Sequence, residues 1–404
     1  MSAPGLSDYA PIVGRERIDN LRRLARRLEG LKVVVVNSTR VGGGVAEMLN
    51  RHVPLFGELG IAIRWEIVEG TPEFFEATKT MHNALQGAPR DLTPALRAAY
   101  LETNRRNAGR LDFDADVVVI HDPQPAALID HATRTCPWVW RCHIDASRPH
   151  RSVWRFLRGF ISRFDASVFS MPAFAQNLPH PQYVIAPSID PLAPKNRDME
   201  EGEVDQVLAR FGLDRSRPLI VQVSRFDRFK DPVGVVRAFR MVRRRDDCRL
   251  VLAGGGAADD PEGAQVLGEV IDEVGDDPDV TILELPPESD REINALQRAA
   301  TIIVQKSTRE GFGLTVTEGL WKGRPVIGGA AGGIKVQVYD HMTGFLVHSP
   351  EGLAYRLRYL LNRPGLAEEM GARGRELVRH HFLLTRHLRD QLTLFLEVTG
   401  RAAG

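Results

Sequence analysis

Two acids bracket a glycine-rich turn in the stretch REGFGLTVTEGL: Glu310 stands directly before Gly311, Phe312 and Gly313, and Glu318 lies further along the run that follows. The turn comes after the apolar segment TIIVQ and leads into Leu314 to Trp321, which reads as a short helix. A helix start presents unpaired N–H groups and a partial positive charge, and glycine lets a phosphate come close to that backbone. Carboxylates on either side of such an anion site suit neutral hydroxyls, those of a sugar at Glu310 and those of a ribose at Glu318. Taken alone, the spacing equally describes a helix-start acid followed by a mid-helix surface acid.

A second stretch changes that reading. VQVSRFDRFKDP follows the first strand of the same half, so Arg225 and Lys230 fall in the loop beyond its carboxyl end. Arginine offers a planar fork and lysine a mobile point charge, a combination suited to a diphosphate. With no Mg²⁺-binding carboxylate pair nearby in sequence, cations and helix dipole are expected to do a metal's work.

The first half carries its own candidates. NSTRVGGGVAEML runs from a strand through Gly42, Gly43 and Gly44 into a helix; it is not the GxGxxG fingerprint, and three consecutive glycines exceed what a tight turn needs. In VVVIHDPQPAALI and WVWRCHIDAS, the residues His121, Asp122 and Gln124 leave one strand end and Arg141, His143 and Asp145 leave the next. Short polar side chains massed at strand ends suit the many hydroxyls of a sugar.

These residues need a scaffold, and the chain supplies an alternating one. Short β-branched runs at 32–37, 61–68, 117–120, 139–143 and 167–170 alternate with amphipathic segments, and so do those at 219–223, 250–253, 280–285, 301–305 and 325–328. That pattern predicts parallel sheets covered by helices on both faces. The fold class is therefore α/β, with two doubly wound domains, in which ligands bind beyond the carboxyl ends of the strands. A proline- and charge-rich linker, IAPSIDPLAPKNRDMEEGE, places the boundary near Asp190, giving domains 1–190 and 191–380 and a closing segment 381–404 that includes TRHLRDQLTLFLEVTG.

The bulk numbers agree with a two-domain enzyme. The chain has 404 residues, 43% hydrophobic and 26% charged, and a formal net charge of +1, which favours neither nucleic acid nor an anionic membrane as partner. Its apolar runs are far shorter than the roughly 20 residues a bilayer demands, so no membrane span is expected. With no signal-peptide pattern at the start, the expected location is the cytoplasm. Cys136, Cys142 and Cys248 lack CxxC spacing and read as reduced, buried thiols rather than a disulfide or zinc set. Arg15 to Leu28 reads as a surface helix with an arginine face, and DFDAD (112–116), which precedes its strand, reads as a solvated turn rather than a metal-nucleotide site. Metal ligands are not expected. No P-loop, HExxH or GxSxG is present.

Arg225, Lys230, Glu310 and Glu318 together resemble the donor-site signature of retaining GT-B glycosyltransferases of family 4, in order and spacing across the C-terminal half. RVGGGVAE, VIHDPQPAALI, WRCHIDAS and APSIDPLAPKN are similar to segments of the trehalose glycosyltransferring synthases. The resemblance implies a GT-B fold with two Rossmann-like domains facing a cleft, the N-terminal one binding acceptor and the C-terminal one nucleotide-sugar. It implies a nucleotide-diphosphate-glucose donor, free glucose as acceptor and α,α-trehalose as product, reversibly. In that scheme His143, Glu310, Arg225 and Lys230 are catalytic; Gly43, Gly44, Gly311, Phe312, Gly313, Leu314 and Glu318 bind donor; Asp122, Gln124 and Arg141 bind acceptor. No cofactor is required, Mg²⁺ is at most non-essential, the assembly is a homodimer, and the last helix crosses back to the first domain. Three rivals remain open: a trehalose phosphorylase using inorganic phosphate, a family 4 enzyme with another sugar acceptor, and a non-catalytic nucleotide-sugar sensor.

Overall fold

The structure is a computed structural model that describes residues 4–40, 43–255 and 261–403. The chain divides into two compact units: Met1–Ser188 with Leu384–Gly404, and Ile189–Leu383. Each unit is built on one six-stranded, all-parallel sheet.

In unit 1 the strands are β1 (Lys32–Asn37), β2 (Ala62–Ile67), β3 (Val117–His121), β4 (Trp138–Cys142), β5 (Ala166–Phe169) and β6 (Gln182–Val184), arranged in the order β2-β1-β3-β4-β5-β6. β3, β4 and β5 are buried along their whole length, as expected of strands covered on both faces. Helices supply that cover, among them Gly43–Glu58, Pro72–Leu85, Pro94–Arg110, Arg151–Ile161 and, from the C-terminal segment, Leu384–Val398. The start of Pro72–Leu85 is fixed by Thr71 and that of Pro94–Arg110 by Thr93, each side-chain hydroxyl accepting from a first-turn N–H. Arg15–Arg26 buries Ile18, Leu21 and Ala25 and leaves Arg22, Arg23 and Arg26 exposed, so its arginine face is a solvated one.

Unit 2 carries β7 (Leu219–Val223), β8 (Arg249–Gly254), β9 (Val280–Glu284), β10 (Ile302–Gln305), β11 (Val326–Gly329) and β12 (Gly344–Val347), in the order β12-β11-β10-β7-β8-β9. This is the Rossmann order read from the far edge, and its direction of winding reverses between β7 and β10. The corresponding reversal in unit 1 lies between β1 and β3. A loop leaving either member of such a pair is not covered by the next crossover helix, so a pocket opens there.

Two strands escape the sequence pattern, and both are edges. β6 has three residues with exposed ends, and β12 opens on Gly344, so neither builds a long apolar run. The expected extra residues at 61 and 68, and at 285, fall just outside β2 and β9.

Candidate functional site

In unit 2 the reversal point gathers the opening motif and the cationic loop. Arg225 and Lys230 leave the end of β7; Glu310 leaves the end of β10; the two strands are neighbours. Lys230 Nζ donates to Glu310 Oε2 at 2.6 Å, and Ser307 Oγ donates to the same oxygen at 3.1 Å. The loop that presents Lys230 is built rather than free. Asp227 accepts from the Phe229 N–H at 2.7 Å and caps a single helical turn, Arg228–Lys230, while Gln222 on β7 donates to the Lys230 carbonyl at 3.0 Å. Asp231, at φ 49°, caps Pro232–Arg243 through the Gly234 N–H and pairs with Lys306. Arg225 reaches outward, 63% exposed, with one contact of 3.3 Å to Asp227.

Gly311, Phe312 and Gly313 form the turn into Leu314–Trp321, the helix the sequence predicts residue for residue. Gly313 sits at φ 84°, a conformation glycine adopts without strain, and no side chain caps the helix start. Pro232–Arg243 and Pro350–Leu361, in the same unit, are capped by Asp231 and Ser349. The uncapped start thus leaves its orphan N–H groups open beside Lys230 and Glu310.

Glu318 is 3% exposed. Its Oε2 accepts from Gln297 at 3.2 Å and its Oε1 lies 3.8 Å from Lys195 Nζ. Behind it, Lys322 donates to Gln297 at 2.6 Å and to Asn196 at 3.1 Å, and burial lowers the Lys322 ammonium to about 7. Two carboxylates that look alike in sequence therefore occupy different settings: Glu310 meets Lys230 beside the glycine turn, Glu318 a buried amide and lysine.

The structure also shows residues the sequence reading left out. Gly332 and Gly333 lie against the back of the glycine turn; a Cβ on Gly332, at φ 41°, would stand 1.5 Å from the Glu310 carbonyl oxygen, and one on Gly333 2.5 Å from Phe312 Cα. Gln337 donates to the Phe312 carbonyl at 2.6 Å and so ties the turn down from the other side. All four glycines of GGAAGG are closely approached, and what sets Gly332 apart is its positive φ and its neighbour, the Glu310 carbonyl, neither of which spacing reports. Gly332→Ala must displace Glu310, and a displacement of about 1 Å at a reacting centre costs on the order of 100-fold. We expect at least that loss of turnover from Gly332→Ala, measured in the same assay as wild type, whereas Gly30→Ala, at a φ of 75° but with open space around it, costs stability alone.

Unit 1 places its polar set at β1, β3 and β4. In the parallel register His121 faces Arg141 across β3 and β4, and Arg141 and His143, two positions apart, share a face. The three side chains therefore meet: His121 Nδ1 is 2.9 Å from His143 Nε2, and Arg141 Nε donates to that same nitrogen at 3.2 Å. Asp122, at φ 63°, accepts the His143 N–H at 2.7 Å on its carboxylate and the Trp140 indole N–H at 2.9 Å on its carbonyl. Burial raises the Asp122 carboxyl to about 7. Gln124 is partly exposed, its carbonyl held by Asn104 at 3.1 Å. Arg141 is 2% exposed, and its other donor goes to the Ile185 carbonyl at 3.2 Å. Asp145 is turned inward as a cap for the Ser147 N–H at 2.9 Å. Gly43 and Gly44 open the helix Gly43–Glu58 after β1; Gly42 lies outside the described residues.

Elsewhere, Asp112 accepts from the Asp114 N–H at 2.9 Å and pairs with Arg64, the arrangement of a surface turn. Cys136, Cys142 and Cys248 are free thiols. Among the described residues, no helix is long and apolar enough to cross a membrane and no three His, Cys, Asp or Glu side chains are grouped to hold a metal ion.

Comparison with known proteins gives these sites a setting. Residues 35–176 match the family model described as "Trehalose synthase, N-terminal domain", and residues 205–377 match "Glycosyl transferases group 1". The chain is 45% identical to a trehalose synthase of Pyrococcus horikoshii over 98% of this chain and 97% of that one, and 42% identical to a trehalose synthase of Rubrobacter xylanophilus over the same shares. Its fold is similar to that of a sucrose-phosphate synthase from Thermosynechococcus elongatus, with a TM-score of 0.72 at 18% identity, covering 93% of this chain and 100% of that one. The architecture is the GT-B type.

Proposed function

The chain belongs to the trehalose synthase family of group 1 glycosyltransferases, and from that premise we propose that it makes α,α-trehalose reversibly from a nucleotide-diphosphate-glucose and free glucose. The observation that carries the donor half is the convergence of Lys230, Glu310 and an uncapped helix start at the β7/β10 reversal. A diphosphate would accept from the N–H groups between Gly311 and Leu314 and take the charge of Lys230 and Arg225. Glu310, freed from part of its bond to Lys230, would hold hydroxyls of the transferred glucose. Glu318, with Phe312 and Gly313 ahead of it on the chain, would hold the ribose hydroxyls. Gly43 and Gly44, opening the helix Gly43–Glu58, would contact donor through their backbone.

The reaction breaks the bond between the anomeric carbon and the diphosphate oxygen, and forms one to the acceptor hydroxyl oxygen. The departing phosphate takes the proton of that hydroxyl, so the atoms balance without a protein base. Its transition state is oxocarbenium-like, and what the protein must supply is stabilisation of the developing phosphate charge. His143 would stand by the glucosyl ring, and Asp122 and Gln124 would bind the acceptor. In this reading the cations and helix start carry the diphosphate charge, Mg²⁺ is non-essential, and the enzyme is a cytoplasmic homodimer.

The test is product analysis with glucose or glucose 6-phosphate as acceptor and ADP-, UDP- or GDP-glucose as donor. Trehalose from free glucose is the expected product. Exclusive use of the phosphorylated acceptor, or glucosylation only of an unrelated sugar, overturns the acceptor assignment.

A further inference from the structure

The hydrogen-bond pattern around His143 contains more than its position. His143 Nε2 receives the Arg141 Nε–H at 3.2 Å and lies 2.9 Å from His121 Nδ1. A guanidinium has donors only, so the nitrogen it addresses must carry a lone pair. His143 Nε2 is therefore unprotonated, and the neutral ring keeps its one proton on Nδ1. The same reasoning makes His121 the donor across the short contact, with its proton also on Nδ1. The two rings, with centroids 5.1 Å apart and planes 10° from parallel, meet edge to edge, as an in-plane N–H···N contact requires, in the register of β3 and β4. Among the described residues His143 Nδ1 has no partner, and it is not among the buried unsatisfied atoms, so it is the edge of the ring open to solvent.

The geometry points to Arg141 and His121 as positioning residues that fix His143 in the Nδ1–H tautomer, so that it meets a sugar oxygen as a hydrogen-bond donor and not as a base. This takes Arg141 away from direct contact with the acceptor, to which a side chain 2% exposed and bonded to His143 and Ile185 has little to offer. It also assigns work to His121, for which the reaction scheme had no role. The inference rests on the placement of His143 at a glucosyl oxygen for its consequence, though not for the tautomer itself. A neutral donor at that point orients the glucosyl ring and, carrying its proton outward, cannot compete with the leaving phosphate for the acceptor proton.

Nitrogen-15 NMR of the full chain labelled at histidine reads the tautomer directly, with the His143 signals assigned by their loss in His143→Gln. At pH 7.5 the expected pattern is a protonated Nδ1 and an unprotonated Nε2. A proton on Nε2, or on both nitrogens, overturns the proposal, and it does so whatever sugar the enzyme transfers. Arg141→Met removes the obligatory donor: the Nε2–H form should appear, kcat should fall about tenfold, the worth of one hydrogen bond, and KM for the nucleotide-sugar should hold. Arg141→Lys keeps a donor, so it should retain the Nδ1–H form and recover part of kcat. A fall in kcat with the tautomer unchanged in Arg141→Met would reduce Arg141 to a packing role. Trehalose formation by a wild type with Nε2–H would sink this inference alone; a locked Nδ1–H form without trehalose would sink the reading of function alone.

Discussion

Lys230→Ala is expected to lower the rate of trehalose formation by about 100- to 1,000-fold, the loss seen when one preorganised stabiliser of developing charge is removed. Lys230 is held at 2.6 Å from Glu310, beside the glycine turn, by a loop that Gln222 and Asp227 fix to β7. In the proposed reaction its charge would act on the leaving phosphate, where charge grows, so the loss is expected in kcat more than in KM. Arg225 is 63% exposed, and an exposed cation is screened by solvent, so Arg225→Ala should cost less and act more on donor affinity. Lys230→Arg keeps the charge but replaces a point donor with a fork, and partial recovery is the expected result. Steady-state kinetics of the three variants, with circular dichroism to confirm folding, decide the order. Equal losses at Arg225 and Lys230 would mean that charge alone matters and that the built loop does not.

The second large effect is on stability. Four histidines of unit 1 have ring protonation strongly disfavoured: His52 and His121 fall to about 3, and His143 and His387 fall well below the usual range, in each case chiefly through burial, with nearby charges including Arg141 adding to it; His180 is lowered by burial too. His52 and His387 pack ring to ring at 4.6 Å, between the helices Gly43–Glu58 and Leu384–Val398. Below about pH 6.5 the unfolded chain binds protons on these residues and the native state does not, so native stability is lost as pH falls from there toward 3. Asp122, raised to about 7, acts the other way, because the native state then holds a proton that the unfolded state releases. The four strongly shifted histidines less Asp122 leave a net of three groups, which contribute at most about 4 kcal/mol per pH unit between pH 6 and 5, a large fraction of a typical domain's stability. Thermal melts across pH 8 to 5 should therefore show a steep acid-side drop, and His52→Leu should flatten it by about 1.4 kcal/mol per pH unit, one group's share. A melting temperature level from pH 7 to 5 would show that the cluster is already open to protons.

Much of this was legible because the chemistry sits where secondary structure changes. Gly311 to Trp321 reads as strand end, turn and helix because glycines interrupt an apolar run at that point, and Arg225 and Lys230 are found by counting from the strand before them. The edge strands Gln182–Val184 and Gly344–Val347 were not legible, since strands this short carry no pattern and owe their form to a neighbour's hydrogen bonds. Nor was the His121, Arg141 and His143 contact, which depends on the β3/β4 register that places residues 20 apart side by side. The pairing of His52 with His387 joins segments from opposite ends of the chain and had no signal at all. Gly332 is legible only once the Glu310 carbonyl is known to lie against it. What sequence conveys well is the type of group at a strand end; what it withholds is which groups touch.

In the proposed function unit 2 holds a nucleotide-sugar, and Glu318, buried beside Gln297 and Lys195, would meet its ribose. The reverse reaction tests it most directly: trehalose is incubated with ADP, UDP or GDP in turn, and separately with inorganic phosphate, and the glucosyl product is identified. Nucleotide-diphosphate-glucose from at least one nucleotide and no reaction with phosphate alone are expected; glucose 1-phosphate formed from phosphate, with no product from any nucleotide, would make the enzyme a phosphorylase instead.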